Sequence, residues 1–508
     1  MSVDSQRLIG AIDQGTSGTR FIVFSKQAQP VAQAHIANQV LSPRPGWVEQ
    51  DPMQLWATTR ATMERALGTL RADGLSLDAI AIANQRETTV IWDRATGEPI
   101  HNAIVWQDTR TAAICQRLKD DGLEPLIRST TGLLAATYFS APKIRWLLDN
   151  LPGARRRAER GDLAFGTVDT WLVWWLTGGP GQGRHVTDPT NASRTMLMNL
   201  ERRRWDAGML SMLEIPIQML PEIVPSSDPS AYGVTAAATP CGPGIPITAA
   251  LGDQQAALVG QVCLAPGEAK NTYGTGSFVL LNTGPRPVTS EHGLVTTVGY
   301  DLGSGPSAYA IEGSIAVTGA AVGWLRDNLG IIRTAEESEQ VAAEVEDCAG
   351  VYFVPALSGL FAPHWDMYAR GTIVGLTQHS DHRHLVRATL ESICYQTRDV
   401  VEAMVTDSGA ALRSLRVDGG ASRNNLLMQM QADILGAPVV RPTVTETTAL
   451  GAAYAGGLAI GLWQDIDELR SFWTAEATFQ PTWSDDRRQE ACRLWARAVQ
   501  RAGQWLQA

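Results

Sequence analysis

Residues 8–24, LIGAIDQGTSGTRFIVF, put one carboxylate, two glycines and three hydroxyls into a single turn. Leu8–Ile12 and Phe21–Phe24 are apolar runs that predict paired strands, with Asp13 ending the first. Gly15 and Gly18 let backbone N–H groups approach a ligand closely, and Thr16, Ser17 and Thr19 add hydroxyl donors. Such donors beside one acid suit a polyphosphate carrying magnesium. An ordinary hairpin whose small residues only make the turn fits the same letters. Residues 270–281, KNTYGTGSFVLL, repeat the arrangement with Gly274-Thr275-Gly276-Ser277 ahead of an apolar strand. One turn lies at the start of the chain and the other just past its middle. A duplicated domain closing on one nucleotide from two sides has that spacing.

Further polar groups fall where apolar segments meet loops. Ala79–Ala83 reads as a strand that delivers Arg86 and Glu87 to the loop after it, a position where open α/β sheets bind ligands. The two residues face opposite ways, so a simple mutual ion pair is not expected. The strand in IPITAALGDQQAALVGQ ends at Gly252-Asp253-Gln254-Gln255, and a domain boundary near 255 places Asp253 at the hinge, facing the cleft. Leu415–Val417 runs into DGGASRNN, where Ser422 is expected to cap a helix that Gly436 stops. A strand ending in Asp-Gly-Gly at a helix N-terminus favours anions. Met53–Leu70 and His384–Met404 read as amphipathic helices, and Glu312–Leu325 as a helix of small residues. Trp171, Trp174 and Trp175 are expected in the core, and Arg194 in a structural turn.

At 508 residues the chain fits two domains, 1–255 and 256–508, rather than one core. Its 44% hydrophobic and 19% charged content is globular, and a net charge of −10 without a basic run argues against a nucleic-acid partner. No signal-peptide pattern opens the chain, and no apolar stretch approaches the roughly 20 residues of a membrane span. A cytoplasmic protein without membrane insertion is expected. Six scattered cysteines form no C-x-x-C pair, and the cluster His379, His382 and His384 lacks acidic or thiol ligands at metal spacing. The lysines, Lys26, Lys119, Lys143 and Lys270, never follow glycine, so a Walker A loop is absent. A protein-kinase H-R-D loop is absent as well, leaving a different architecture for any use of ATP.

Two longer stretches, YFSAPKIRWL (Tyr138–Leu147) and GTIVGLTQHSDHRHLVRATLE (Gly371–Glu391), resemble signatures of the FGGY family of carbohydrate kinases. NQRETT, AIVWQ, GTVDTWL, GDQQAAL and NTYGTGSF resemble the members of that family that phosphorylate glycerol, and the likeness extends to about Trp463. The resemblance implies an α/β fold of two duplicated RNase H-like, actin-like ATPase domains around a cleft. It implies ATP and Mg2+ as cofactors, glycerol as the small-molecule substrate, and a homodimer or homotetramer. Arg86, Glu87, Tyr138, Asp253 and Gln254 are then expected to hold the glycerol hydroxyls, with Trp106 and Phe278 on its carbon side. Asp253 would be the general base, and Asp13 and Asp253 would hold the magnesium. Thr16, Ser17, Gly18, Arg20, Thr275, Gly319, Gly323, Gly420 and Asn424 would contact the nucleotide. Gly18 departs from a serine common in that turn and offers only its N–H. Gly323 replaces an amide near the adenine, which implies weak recognition of the base.

Other acceptors compete with glycerol. A family member acting on a pentulose or sugar acid shares the phosphate turns, but Phe278 fills space that a longer substrate needs. An actin-like ATPase driving filaments or chaperone motion needs self-complementary surfaces or a peptide-binding domain, which the chain has no length left to supply.

Overall fold

The computed structural model describes residues 7–72 and 74–506. Its first sheet contains β1 (Leu8–Gln14), β2 (Gly18–Ser25), β3 (Pro30–Ala37), β4 (Ala79–Asn84) and β5 (Ile247–Gly252) in the order β5-β4-β1-β2-β3. β1 and β2 pair antiparallel through the hydroxyl turn, whereas β1, β4 and β5 run parallel. The second sheet contains β6 (Ala269–Tyr273), β7 (Ser277–Gly284), β8 (Val295–Asp301), β9 (Ser307–Ile315), β10 (Leu415–Asp418), β11 (Val439–Pro442) and β12 (Ala475–Phe479). Their order is β8-β9-β7-β6-β10-β11-β12. Its stretch β9-β7-β6-β10-β11 repeats the first sheet: an antiparallel hairpin, then parallel strands on the side of its first member. Each hydroxyl turn joins the two strands of that hairpin, β1–β2 and β6–β7. The duplication expected from the two motifs is therefore present in the topology.

Strands buried on both faces explain the near-continuous apolar runs. In β1, Ile9 and Ala11 pack on one side and Leu8 and Ile12 on the other. Helices α1 (Pro52–Ala72), α2 (Ser140–Asn150) and α3 (Val168–Leu176) belong to the first half, and the α3 tryptophans are core, with Trp171 and Trp174 against Trp92. α4 (Asp253–Gly260) starts directly after β5. α5 (Gly319–Asp327), α6 (His382–Ser408), α7 (Asn425–Leu435) and α8 (Thr447–Ala459) follow in the second half.

α8 does not stay with its own sheet. Ala449, Leu450 and Ala453 share a core with Ile9, Ala81 and Leu251 of the first sheet. Its glycines make that possible. A Cβ at Gly451 would meet the Ala256 carbonyl oxygen at 1.7 Å, and one at Gly260 would meet the Thr447 oxygen at 2.0 Å. α4 and α8 thus cross backbone to backbone. Thr248 and Ser227 donate hydrogen bonds to the carbonyls of Gly456 and Ala455 at 3.1 and 2.7 Å.

Two expected elements differ. Glu312 lies in strand β9, not in a helix, because the helix begins only at Gly319. Small residues on a strand buried along almost its whole length leave no period that separates it from a helix. The cap of α7 is Asn424, whose side chain accepts from the Leu427 N–H at 2.8 Å, while Ser422 sits in the 3-10 turn before it. Gly436 ends α7 in the left-handed region, as expected. His384 joins Asp381 in a capping box at the start of α6.

Candidate active site

At the first turn Gly15 N–H donates to the Gly18 carbonyl at 2.9 Å, closing the hairpin tightly. Asp13 is buried, and that burial pushes its carboxyl up to about 6. Arg20, 3.4 Å away, pulls it down, while Asp253 and Glu446 push it up. Arg20 also lies 3.7 Å from Glu446. Ser17 is exposed at the tip. Thr16 is engaged on the inner side: its hydroxyl accepts from Trp106 Nε1 at 2.8 Å and donates to Gln85 Oε1 at 3.3 Å. A Cβ at Gly18 would meet His35 Nε2 at 2.3 Å, so a serine there requires the His35 ring to move.

The second turn repeats the closure, with Gly274 N–H donating to the Gly276 carbonyl at 2.8 Å. The start of α5 sits on it. Thr318 and Ala320 N–H groups donate to the Thr275 carbonyl at 2.9 and 3.1 Å, and Gly319 N–H to Gly274 at 3.1 Å. A Cβ at Gly319 would come within 2.7 Å of the Gly274 oxygen. The Asp-Gly-Gly loop touches the other flank: Gly419, at φ 84°, lies where a Cβ would meet the Tyr273 carbonyl at 2.3 Å. Thr275, Gly319, Gly420 and Asn424 are thus brought to one end of the second sheet. Gly420 has open space around it, and at Gly323 the nearest atom to a Cβ is 4.0 Å away, so a side chain would fit there. Asp418 itself is spent on structure, accepting from Gln261 and Thr447 at 2.8 and 2.7 Å.

The acceptor side is built on charge. Arg86 and Glu87 follow β4, with Glu87 at φ 61°, a strained conformation for a side chain with a Cβ. They make no direct pair; two residues from elsewhere link them. Arg86 and Arg194 each donate through Nη2 to Glu312 Oε1 at 3.1 Å, and Arg194 Nε donates to Glu87 Oε1 at 2.6 Å. Arg86 Nε also lies 3.1 Å from Asp253 Oδ1. Most Arg86 donors are therefore taken by protein, and Glu87 Oε2 has no partner among the described residues. The arginines hold Glu312 low against its burial, whereas burial outweighs the arginines at Glu87 and Asp253 and raises both. Gln254 accepts from the buried Lys270 ammonium, which burial lowers to about 8.

Beside these charges stand three rings. Trp106 meets Tyr138 and Phe278 edge to face, with centroids 5.6 and 6.0 Å apart. The Arg86 guanidinium is 5.6 Å from the Phe278 centroid, and that of Arg194 is 5.3 Å from Tyr138. Charged side chains and aromatic rings thus lie side by side, a combination that suits a small polyol with hydroxyls on one edge and C–H groups on the other. Sequence reasoning missed Arg194, Glu312 and Lys270. Only the hydroxyl-rich context of Arg194 hinted at it.

The fold agrees with those of the proteins this chain resembles. The FGGY N-terminal domain matches residues 8–260, and the FGGY C-terminal domain matches residues 269–460. The chain belongs to the FGGY family of carbohydrate kinases. It is 56% identical over 498 residues to glycerol kinase 1 of Streptomyces coelicolor, covering 98% of each chain. It is 54% identical to a glycerol kinase of Mycobacterium tuberculosis, over 99% of this chain and 97% of the other. Among solved FGGY-type structures, a Plasmodium falciparum glycerol kinase with ADP superposes at a TM-score of 0.92 with 36% identity, covering 98% of each chain. A xylulose kinase from Lactobacillus acidophilus shares the fold at a TM-score of 0.85 and 21% identity.

Proposed function

We propose that this FGGY kinase transfers the γ-phosphoryl group of ATP to glycerol, giving sn-glycerol 3-phosphate and ADP, the first step of glycerol catabolism. The observation that carries the acceptor assignment is the Trp106–Phe278–Tyr138 ring cluster set directly beside the Arg86 and Glu87 charges. The full-length identity to glycerol kinases supports it independently. Glu87 Oε2 and the remaining Arg86 donor hold hydroxyls, Tyr138 and the Gln254 amide complete the polar side, and Trp106 and Phe278 cover the carbons. Asp253 takes the proton of the terminal hydroxyl as its oxygen bonds to the γ-phosphorus. The bond from that phosphorus to the bridging oxygen breaks, and ADP leaves. A carboxylate raised by burial is a stronger base than a solvated one, although in a loose transition state its placement matters more.

The nucleotide lies between the turns, against Thr16, Ser17, Gly18, Arg20 and Thr275, with Gly319, Gly323, Gly420 and Asn424 on the second half. Asp13 and Asp253 are hard oxygen donors whose charges act on one another, a set that fits Mg2+. Bound there, the ion would neutralise phosphate charge. The division near residue 255 separates an acceptor-side half from a nucleotide-side half. We place the enzyme in the cytoplasm, in keeping with six free cysteines, as a homodimer or homotetramer; exposed Met367, Tyr368 and Leu376 offer apolar surface for self-association. No helix among the described residues is long and apolar enough to cross a membrane.

The test of the acceptor is kcat/KM for glycerol and for xylulose in the wild type and in Phe278→Ala. Glycerol is strongly preferred by the wild type, and Phe278→Ala weakens glycerol use and admits xylulose. Equal use of both by the wild type would assign the chain to the broader sugar kinases.

A further inference from the structure

Between Arg86 and Arg194, Glu312 occupies the centre of a chain of buried charges that alternate in sign. It receives Arg86 and Arg194 on the same oxygen, at 3.1 Å each. Arg194 continues to Glu87 at 2.6 Å, and Arg86 to Asp253 at 3.1 Å. The side chains of Arg86, Glu87, Arg194 and Glu312 are each at most 2% exposed. Two further buried cations act on these groups: Lys270, bonded to Gln254 beside Asp253, and Lys143, whose charge is attracted to that of Glu87. Arg86, Arg194, Lys143 and Lys270 thus stand against Glu312, Glu87, Asp253 and the Asp13 that acts on Asp253, and Glu312 reaches the site from β9 of the other half of the chain.

We propose that Glu312 is a specificity-determining residue that reserves the site for an uncharged polyol and rejects an acid of the same size. The inference rests on the acceptor reading above. Charges in a water-poor site act strongly at short range, so a balanced set neither attracts a carboxylate nor tolerates one beside Glu87. Arginine forks pair readily with carboxylates, and both guanidiniums lie within 6 Å of rings of the proposed acceptor site, Arg86 by Phe278 and Arg194 by Tyr138. Without Glu312 these guanidiniums would be partly unpaired and free to engage an anionic acceptor. Glu312 touches no atom of the polyol in this account. It acts by occupying the arginines and by setting the net charge around them.

The experiment is calorimetric binding of glycerol and of D-glycerate, a carboxylate of nearly equal size, to the full chain. The variants are Glu312→Gln, which removes one charge at constant shape, and Glu312→Asp, which keeps it. The wild type binds glycerate at least about 100-fold more weakly than glycerol, a like-charge penalty of the usual size. Glu312→Gln narrows that ratio at least tenfold, and Glu312→Asp leaves it within about threefold of the wild type. A purely structural role would weaken both ligands together and leave the ratio unmoved. Should Glu312→Gln not fold, Glu312→Met, neutral and of similar length, removes the same charge and narrows the ratio likewise. An unchanged ratio in the folded charge-removing variant, or equal binding of both ligands by the wild type, overturns the proposal. Glycerol turnover by the wild type is recorded alongside. Its absence with the binding preference intact counts against the acceptor assignment alone.

Discussion

Asp253 is held at one oxygen only. Its Oδ1 lies 3.1 Å from Arg86 Nε and accepts from the Gln254 backbone N–H at 2.7 Å, while Oδ2 has no partner among the described residues. An oxygen left open at the start of α4 suits the general-base role proposed for Asp253. Asp253→Asn keeps the shape and removes the basicity. The variant is expected to fold and bind nucleotide while kcat falls about 100- to 10,000-fold, the usual worth of a positioned base. Equilibrium nucleotide binding and steady-state turnover check this, and retention of more than about a tenth of wild-type kcat would remove Asp253 from the role. Arg86, Glu87, Trp106, Tyr138 and Phe278 were named through short motifs shared with the family, and the structure brings their side chains together. Arg194 and Glu312 were not, because their meaning lies in partners far along the chain: Arg194 bonds a residue 107 positions away, and Glu312 one 226 away. Local pattern carries no trace of such pairs.

At the scale of elements, strands and helices with strong periods were read well, and those set by close tertiary approach were not. TALGAAYAGGLAIG reads as a closely packed helix, yet nothing in it says that α8 lies on the sheet of the other half. Gly451→Val puts side-chain atoms onto the Ala256 backbone and forces α4 and α8 apart. Overpacking of this kind costs about 1–3 kcal/mol. Since α4 begins at Asp253, thermal unfolding should show a lower midpoint and kinetics a lower kcat in the same variant; an unchanged midpoint would contradict the backbone-to-backbone crossing.

The tryptophan cluster of α3 makes a separate prediction about pH. His185 stands edge-on to Trp92 and Trp174, accepting from Arg94 at one ring nitrogen and donating to the Phe165 carbonyl at the other. Burial first, and then the Arg94 charge, lower it to about 3. A base whose folded pKa lies below its unfolded value favours unfolding as it gains a proton. Its contribution is therefore intact above the ordinary histidine range near 6.5 and is lost as pH falls toward 3. From pH 7 to pH 5 the loss is about 2 kcal/mol. Denaturant titrations at the two pH values should show that much more acid sensitivity in the wild type than in His185→Gln, and equal sensitivity would mean that His185 is not held neutral.

Across the whole molecule, the duplicated sheets explain why two hydroxyl turns recur in one chain. Each is the hairpin of one copy, and the charge chain from Glu87 through Arg194 and Glu312 to Arg86 ties Arg86, Glu87 and Arg194 of one half to a strand of the other. Duplication was legible from the repeated motif, whereas the tie and the crossing of α8 were not. The account as a whole stands on one reaction. The direct measurement is 31P NMR of the purified chain with MgATP and glycerol. The account predicts glycerol-dependent loss of ATP with equimolar ADP and sn-glycerol 3-phosphate. ATP turnover to inorganic phosphate at a rate indifferent to glycerol, with no phosphorylated glycerol formed, would contradict it.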